Sequence, residues 1–181
     1  MAGAYDEKGR RKYLTKSEGE RFLEATNRLK GRNRLLCRFL YFTGSRVTEA
    51  ISMNLSRIDI ETKEAVLRTL KKKDRNERRR IPLPDDLMKE LLSQSAQTEK
   101  FWPISRSTVW RIVKDVMKDA RIEGIHATCK GLRHSFAVRL TLENVPISEI
   151  RLLMGHSHID TTAIYLAVKD AERRELVSRS W

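Results

Sequence analysis

The chain is expected to be mainly α-helical with one small three-stranded antiparallel sheet, an α+β fold. Three observations lead there. Large apolar residues recur at three- and four-residue steps both before about residue 50 and after about residue 85, which is the period of helices with one buried face. Between these regions lie three short β-prone runs, RIDI, EAVLRT and RRIPL, separated by polar linkers, with Pro82 closing the last. A length of 181 residues leaves room for one sizeable domain, or a domain with a small appendage.

Residues 1–12 are polar, alternate in charge sign and show no apolar period, so they read as a flexible leader. Structure is expected to begin at Tyr13 and Leu14. Thr15 and Glu18 form a capping box, and Phe22, Leu23, Thr26 and Leu29 follow at helical spacing. After Gly31, Leu35, Leu36, Phe39, Leu40 and Phe42 make a wide apolar face opposite Arg32, Arg34 and Arg38, in a core helix that ends at Gly44. Val47, Ala50 and Ile51 continue as a short helix. The three strands come next, and the second of their turns, Lys71–Arg80, holds seven basic and two acidic residues. Pro84 and Asp85 open a helix carrying Leu87, Met88, Leu91 and Leu92. Phe101-Trp102-Pro103 reads as an aromatic anchor to the core. Ser105 or Ser107 caps the next helix, with Val109, Ile112, Val113, Val116 and Ala120 on one face and Trp110, Arg111, Lys114 and Lys118 on another. KGLRHSFAVRLTLEN starts a helix buried along Leu132, Phe136 and Leu140; Asn144 and Pro146 cap and open one whose Ile147, Ile150 and Leu153 face inward. The catalytic or binding domain is thus placed at residues 13–168, and residues 169–181 as a charged helical tail with Leu176, Val177 and Trp181 as its apolar groups.

Lys and Arg number 37 against 24 Asp and Glu, a net charge of +13. Such a field attracts polyanions, with nucleic acid the first candidate and an acidic membrane surface the alternative. No apolar run approaches the roughly 18 residues of a spanning helix, and the amino terminus lacks a signal peptide's apolar core. A soluble, cytoplasmic and nucleoid-associated protein is expected. Cys37 and Cys129 have no close Cys or His partner that would suggest zinc ligation, so both read as reduced thiols.

Five stretches carry the chemistry. TGSRVTEA holds Arg46, and Glu49 one turn on either orients that guanidinium or faces solvent. The hairpin tip holds Lys71, Lys72, Lys73, Arg75 and Arg78, a basic probe suited to a phosphate-lined groove. KGLRH holds Lys130 and Arg133, three apart, at a helix start. Two cations there repel the positive end of the helix dipole by some tenths of a kcal/mol, a conflict that a bound phosphate would relieve. GHSH holds His156, and TTAIY holds Tyr165. On one unbroken helix, at roughly 100° per residue, His156 and Tyr165 would point to opposite faces. Gly155 must therefore end one helix, and Ser157 or Asp160 start another, for both to meet one substrate.

In their order, and in the LRH-to-GH and GH-to-Tyr spacings, these stretches together resemble the tyrosine recombinases, the family of phage integrases and chromosome-resolving recombinases. The likeness runs from Leu14 to about Val168. It implies that Arg46 and Arg133 are the two catalytic arginines, His156 the late histidine and Tyr165 the nucleophile. It further implies double-stranded DNA as partner, a dimer or tetramer on that DNA, and a covalent 3′-phosphotyrosine with no metal or other cofactor. The chemistry agrees: guanidinium groups are permanently charged and forked to hold two phosphate oxygens. A tyrosine with a pKa near 10 needs electrostatic help to ionise, which a ring of arginines and a lysine would give. A hairpin lysine protonates the leaving 5′ oxygen in the family. Counting back from Glu77-Arg78 selects Lys73, whereas counting back from IPL lands on Asp74, so Lys73 is taken first and Lys72 second. Arg111 and Lys114 are expected on the DNA backbone, or else in water.

Two features depart from the family pattern. Lys130 occupies the place where most members carry histidine, which suits it to stabilising phosphate charge or donating a proton and leaves base duty to His156 or water. Lysine there is familiar in type IB topoisomerases, which keeps a topoisomerase, and also a non-catalytic DNA-binding relative, as alternatives. The amino-terminal helical domain that completes a clamp around DNA is not expected in this chain. His134 reads as a core-facing, hydrogen-bonded histidine. His158 after His156 forms H-x-H, which without a third ligand does not make a metal site. The tail either docks on a neighbouring protomer or packs on its own.

Overall fold

A computed structural model describes residues 4–68, 78–94 and 100–156, together with Thr162 and Tyr165. Helices α1 (Lys16–Thr26), α2 (Gly31–Thr43) and α3 (Val47–Ala50) precede a single 3-10 turn, Leu55–Arg57. Strands β1 (Ile58–Asp59), β2 (Glu64–Arg68) and β3 (Arg78–Pro82) follow, then helices α4 (Asp85–Gln94), α5 (Arg106–Asp119), α6 (Cys129–Leu142) and α7 (Ile147–Met154). This is the helical fold with a small antiparallel sheet that the periodicity predicts. None of the described helices is long and apolar enough to cross a membrane.

The core forms around α2, which packs on α1, α4, α5 and α6. Leu35, Leu36, Phe39 and Leu40 are buried there, facing Leu132, Phe136 and Ala137 of α6. Trp102 is buried against Phe39 and donates its indole N–H to the Arg32 carbonyl at 2.9 Å, so the aromatic anchor is realised. Gly44 ends α2 in the left-handed region, and a Cβ there would lie 2.5 Å from the Phe136 ring, so only glycine lets the two helices close. The α1 capping box of Thr15 and Glu18 forms as expected, and Ser105 rather than Ser107 caps α5.

The sheet has the order β1-β2-β3, all antiparallel. Ala65 pairs with Ile81 and Leu67 with Arg79. Side chains alternate across a strand, so Ala65, Leu67, Ile81 and Arg79 all lie on the buried face while Arg78 and Arg80 point outward. An arginine is thus carried into the interior by strand register.

Three local expectations need correction. Residues 4–12, expected as a loose leader, fold back: Tyr5 pairs with Arg11, Ala4 is buried, and Arg11 forms an ion pair with Glu18 at the start of α1. Arg38, expected opposite the apolar face, is buried and pairs with Asp86 and Glu90, which anchors α4 to α2. Asn144 does not cap α7; it adopts a left-handed φ of 60° in the turn after α6, and Pro146 takes the N-cap position. Lys71, Lys72, Lys73 and Arg75, the proposed caps Ser157 and Asp160, His158, and the tail with Leu176, Val177 and Trp181 lie outside the described residues.

Candidate active site

The carboxy-terminal end of α7 organises the site. The last turn of a helix leaves carbonyls without intrahelical partners and carries the negative end of the dipole. Three consecutive carbonyls at this end each accept from a different arginine. Arg79 Nε donates to Leu153 O at 2.8 Å, Arg133 Nη2 to Met154 O at 2.5 Å and Arg46 Nη2 to Gly155 O at 3.2 Å. Gly155 makes this possible: it stops the helix at φ 60°, and a Cβ on it would lie 2.9 Å from Arg79 Nη1.

Each arginine arrives on a different element. Arg46 is the N-cap residue of α3, where Glu49 accepts its backbone N–H at 2.7 Å and its Nη1 at 2.9 Å. Arg133, one turn into α6, is fixed by Gly44 O at 2.8 Å. The start of α6 is set by the Thr128 hydroxyl, which caps Gly131 N at 3.0 Å. Arg79 comes from β3 and grips Glu49 with both terminal nitrogens, at 3.1 and 2.7 Å. Glu49 is 1% exposed. Its carboxylate stays ionised despite burial because Arg79, and then Arg46, favour the charged form and hold it below the usual carboxylate range.

Three guanidiniums around one carboxylate leave a positive surplus. Burial, together with repulsion from Arg46 and Arg79, brings Arg133 down to about 9. A bound anion would relieve that repulsion, as it would the cations at the α6 amino terminus. His156 follows Gly155 directly; its Nδ1 lies 3.0 Å from the Thr162 hydroxyl. Burial first, then Arg133, Arg46 and Arg79, press it down to about 4, so it is neutral at pH 7.

Tyr165 lies deeper than the sequence suggests. It is 1% exposed, and its hydroxyl is 2.8 Å from Nδ1 of His134. His134 is itself buried and neutral, held down to about 4 by burial and by Lys130 and Arg133. The lowering of the phenol pKa expected from the arginine ring is outweighed in this conformation. Arg133 does pull the pKa down, but desolvation is larger and pushes it up to about 12.

The structure therefore brings Arg46, Arg133, His156 and Tyr165 to one place. Lys130 sits on the same first turn of α6 as Arg133 but is exposed at the rim. Lys73 lies outside the described residues. Of the surface cations, Arg78 and Arg111 are exposed, and Lys114 lies over the ring of exposed Trp110 at 5.7 Å. The sequence reading missed Arg79, although alternation with Ile81 on β3 would have sent it inward. It also placed His134 correctly, in the core and hydrogen-bonded, without identifying its partner.

Comparison with known proteins places these features in a family. The Phage integrase family profile matches residues 12–172. Tyrosine recombinase XerA of Pyrococcus furiosus is 32% identical over 183 residues, covering 93% of this chain and 62% of that protein. A tyrosine recombinase of Thermosipho africanus is 32% identical over 177 residues, covering 92% and 61%. The chain thus spans somewhat under two thirds of the length of these relatives. Among solved structures, XerA recombinase superposes with a TM-score of 0.77 at 25% identity, over 93% of this chain and 64% of that one. XerH site-specific recombinase, bound to its difH substrate in a pre-cleavage complex, shares the fold with a TM-score of 0.76 at 20% identity, over 96% and 59%. A profile match over most of its length, with this fold and these relatives, shows that the chain belongs to the phage integrase family.

Proposed function

We propose that the chain is the catalytic portion of a site-specific DNA recombinase that cuts and rejoins strands through a covalent 3′-phosphotyrosine at Tyr165. The observation that carries this reading is the convergence of Arg46 and Arg133 on the end of α7, beside His156 and in front of Tyr165. Relatives named tyrosine recombinases, and the XerH complex with its DNA substrate, support double-stranded DNA as the partner. The net charge of +13 suits it. A dimer or tetramer on paired sites, acting on nucleoid DNA in the cytoplasm, is part of the same proposal.

A guanidinium has five donors. The two bonds that fix each of Arg46 and Arg133 leave the remaining donors for the non-bridging oxygens of a scissile phosphate. Tyr165 must leave His134, because a buried phenol held at about 12 is protonated and shielded. Once presented, its oxygen attacks phosphorus and loses its proton to His156 or water. The P–O5′ bond breaks, and the leaving 5′ oxygen takes a proton from Lys73. Attack by a 5′ hydroxyl on the phosphotyrosine reverses these steps, so the bond energy of the phosphodiester is retained. Lys130 at the rim supplies a further charge to the phosphate. Losing one such preorganised donor typically costs about 2.7–4 kcal/mol of barrier lowering.

A nicked suicide substrate tests the proposal. The wild-type chain is expected to form a denaturant-stable DNA adduct and Tyr165→Phe none. Absence of adduct with wild type, or its persistence in Tyr165→Phe, would overturn the mechanism.

A further inference from the structure

We infer that Arg79 is a positioning residue for cleavage: by neutralising Glu49, it lets that carboxylate orient Arg46 without cancelling the charge Arg46 offers to phosphate. The inference rests on the recombinase reading above. Its warrant is the way one buried carboxylate is shared. Oε2 of Glu49 accepts from Arg46 N and Arg79 Nη2, both at 2.7 Å, and Oε1 accepts from Arg46 Nη1 at 2.9 Å and Arg79 Nη1 at 3.1 Å.

Arg79 is poorly placed to bind DNA itself. All three of its nitrogens are engaged, two on Glu49 and Nε on Leu153 O at 2.8 Å, and its side chain is only 7% exposed. Arg46 is different, with a side chain 30% exposed and facing the site. Consider Glu49 with Arg46 alone. The pair would be net neutral, and the field at the phosphate would rest on Arg133. With Arg79 present, the Arg79–Glu49 pair is neutral and Arg46 keeps its full charge while its geometry stays fixed. Arg79 also ties β3 to the end of α7 through its bond to Leu153 O.

The charge argument separates this role from simple scaffolding. Losing one partner of a buried ion pair also destabilises the fold, and losing both relieves that, so the charge role is read from the cleavage rate of folded protein and not from stability. If Arg79 acts by charge compensation, removing the charge of Glu49 as well should restore part of what Arg79 removal takes away. The variants are Arg79→Met, Arg79→Lys, Glu49→Gln and the double Arg79→Met/Glu49→Gln, each checked for folding by circular dichroism and thermal melting. The readout is the single-turnover rate of adduct formation on the nicked substrate at saturating DNA, with DNA affinity measured separately. Arg79→Met should slow cleavage at least tenfold with less than a threefold change in affinity, and the double variant should cleave faster than Arg79→Met. Arg79→Lys keeps charge but cannot make the fork to both oxygens and the carbonyl, so it should fall between wild type and Arg79→Met. It also serves as the test should Arg79→Met fail to fold. Wild-type cleavage rates in Arg79→Met or Arg79→Lys, or a double variant as slow as or slower than Arg79→Met, would overturn the inference. If wild type itself forms no adduct, the recombinase reading fails instead.

Discussion

Tyr165 shows how one side chain can sit correctly in sequence and yet be unready for the chemistry proposed for it. Its nine-residue separation from His156 requires the chain to bend between them if both are to meet one substrate, and Gly155 ends α7 just before His156 as that reading needs. The burial of Tyr165 was not readable, since that depends on α6 presenting His134 from another part of the chain, 31 residues away. Two groups that are both neutral at pH 7 share this contact, so the bond holds the phenol without charging it. In the free protein Tyr165 should therefore resist nitration by tetranitromethane at pH 8. His134→Ala removes the partner and opens space beside the ring, and should raise the nitration of Tyr165 several-fold, followed by peptide mass spectrometry. Equal nitration in the two proteins would show that His134 does not hold the ring. Lys73 belongs to the same scale. Lys73→Ala should slow cleavage of an ordinary phosphodiester, and a 5′-phosphorothiolate substrate, whose sulfur leaves without a proton, should restore the rate. Wild-type cleavage by Lys73→Ala would pass the acid role to Lys72 or another group.

At the scale of elements, the end of α7 does the assembling, and it does so through backbone rather than side chains. That explains which parts were legible beforehand. Helix and strand limits follow from apolar period, caps and glycine breaks, all local, and the elements among the described residues fall where those signals place them, apart from the α7 cap, which is Pro146 and not Asn144. Arg46 and Arg133 were recognisable from their motifs. That both anchor on carbonyls of the GH turn was not, because a carbonyl has no residue type to read. Arg79 was obscured for a related reason: in RRR the composition suggests a solvated basic run, and only its alternation with apolar Ile81 on β3 marks which of the three turns inward. Gly155→Ala tests the element directly. The left-handed φ alone costs about 1–2 kcal/mol for a residue with a Cβ, and the new methyl would press on Arg79 Nη1. Thermal stability should fall by that order. Cleavage should fall further than the stability loss explains, because the arginines lose their common anchor. A variant that melts early but cleaves normally at low temperature would show the turn to be structural only.

Over the whole molecule, burying cationic and neutral imidazole groups makes stability depend on pH in a definite direction. His134 and His156 have folded pKa values pressed down to about 4, against an ordinary value of 6.5. Above 6.5 both folded and unfolded chains carry them neutral. Between 6.5 and about 4 the unfolded chain takes up protons that the folded chain refuses, so stability must fall as pH falls through that window. Glu49 and Glu18, whose folded values lie below normal, add their losses only below about 4.5. Melting temperatures should therefore decline already between pH 6.5 and 5, and His134→Gln should flatten part of that slope; a flat wild-type profile down to pH 5 would contradict the buried, neutral state of both rings. The net charge of +13 acts at the same scale through DNA. Each phosphate neutralised releases counterions and contributes about −0.9 to the slope of log affinity against log salt. Lys71, Lys72 and Arg75 belong to the basic run preceding β3, far in sequence from Arg46 and Arg133. If they contact backbone phosphates, replacing all three by alanine should reduce that slope by roughly 2 to 3 while the melting temperature barely changes. If the slope is unchanged, the run does not bind DNA, and the affinity must come from the α5 face with Arg111 and Lys114 and from the site itself.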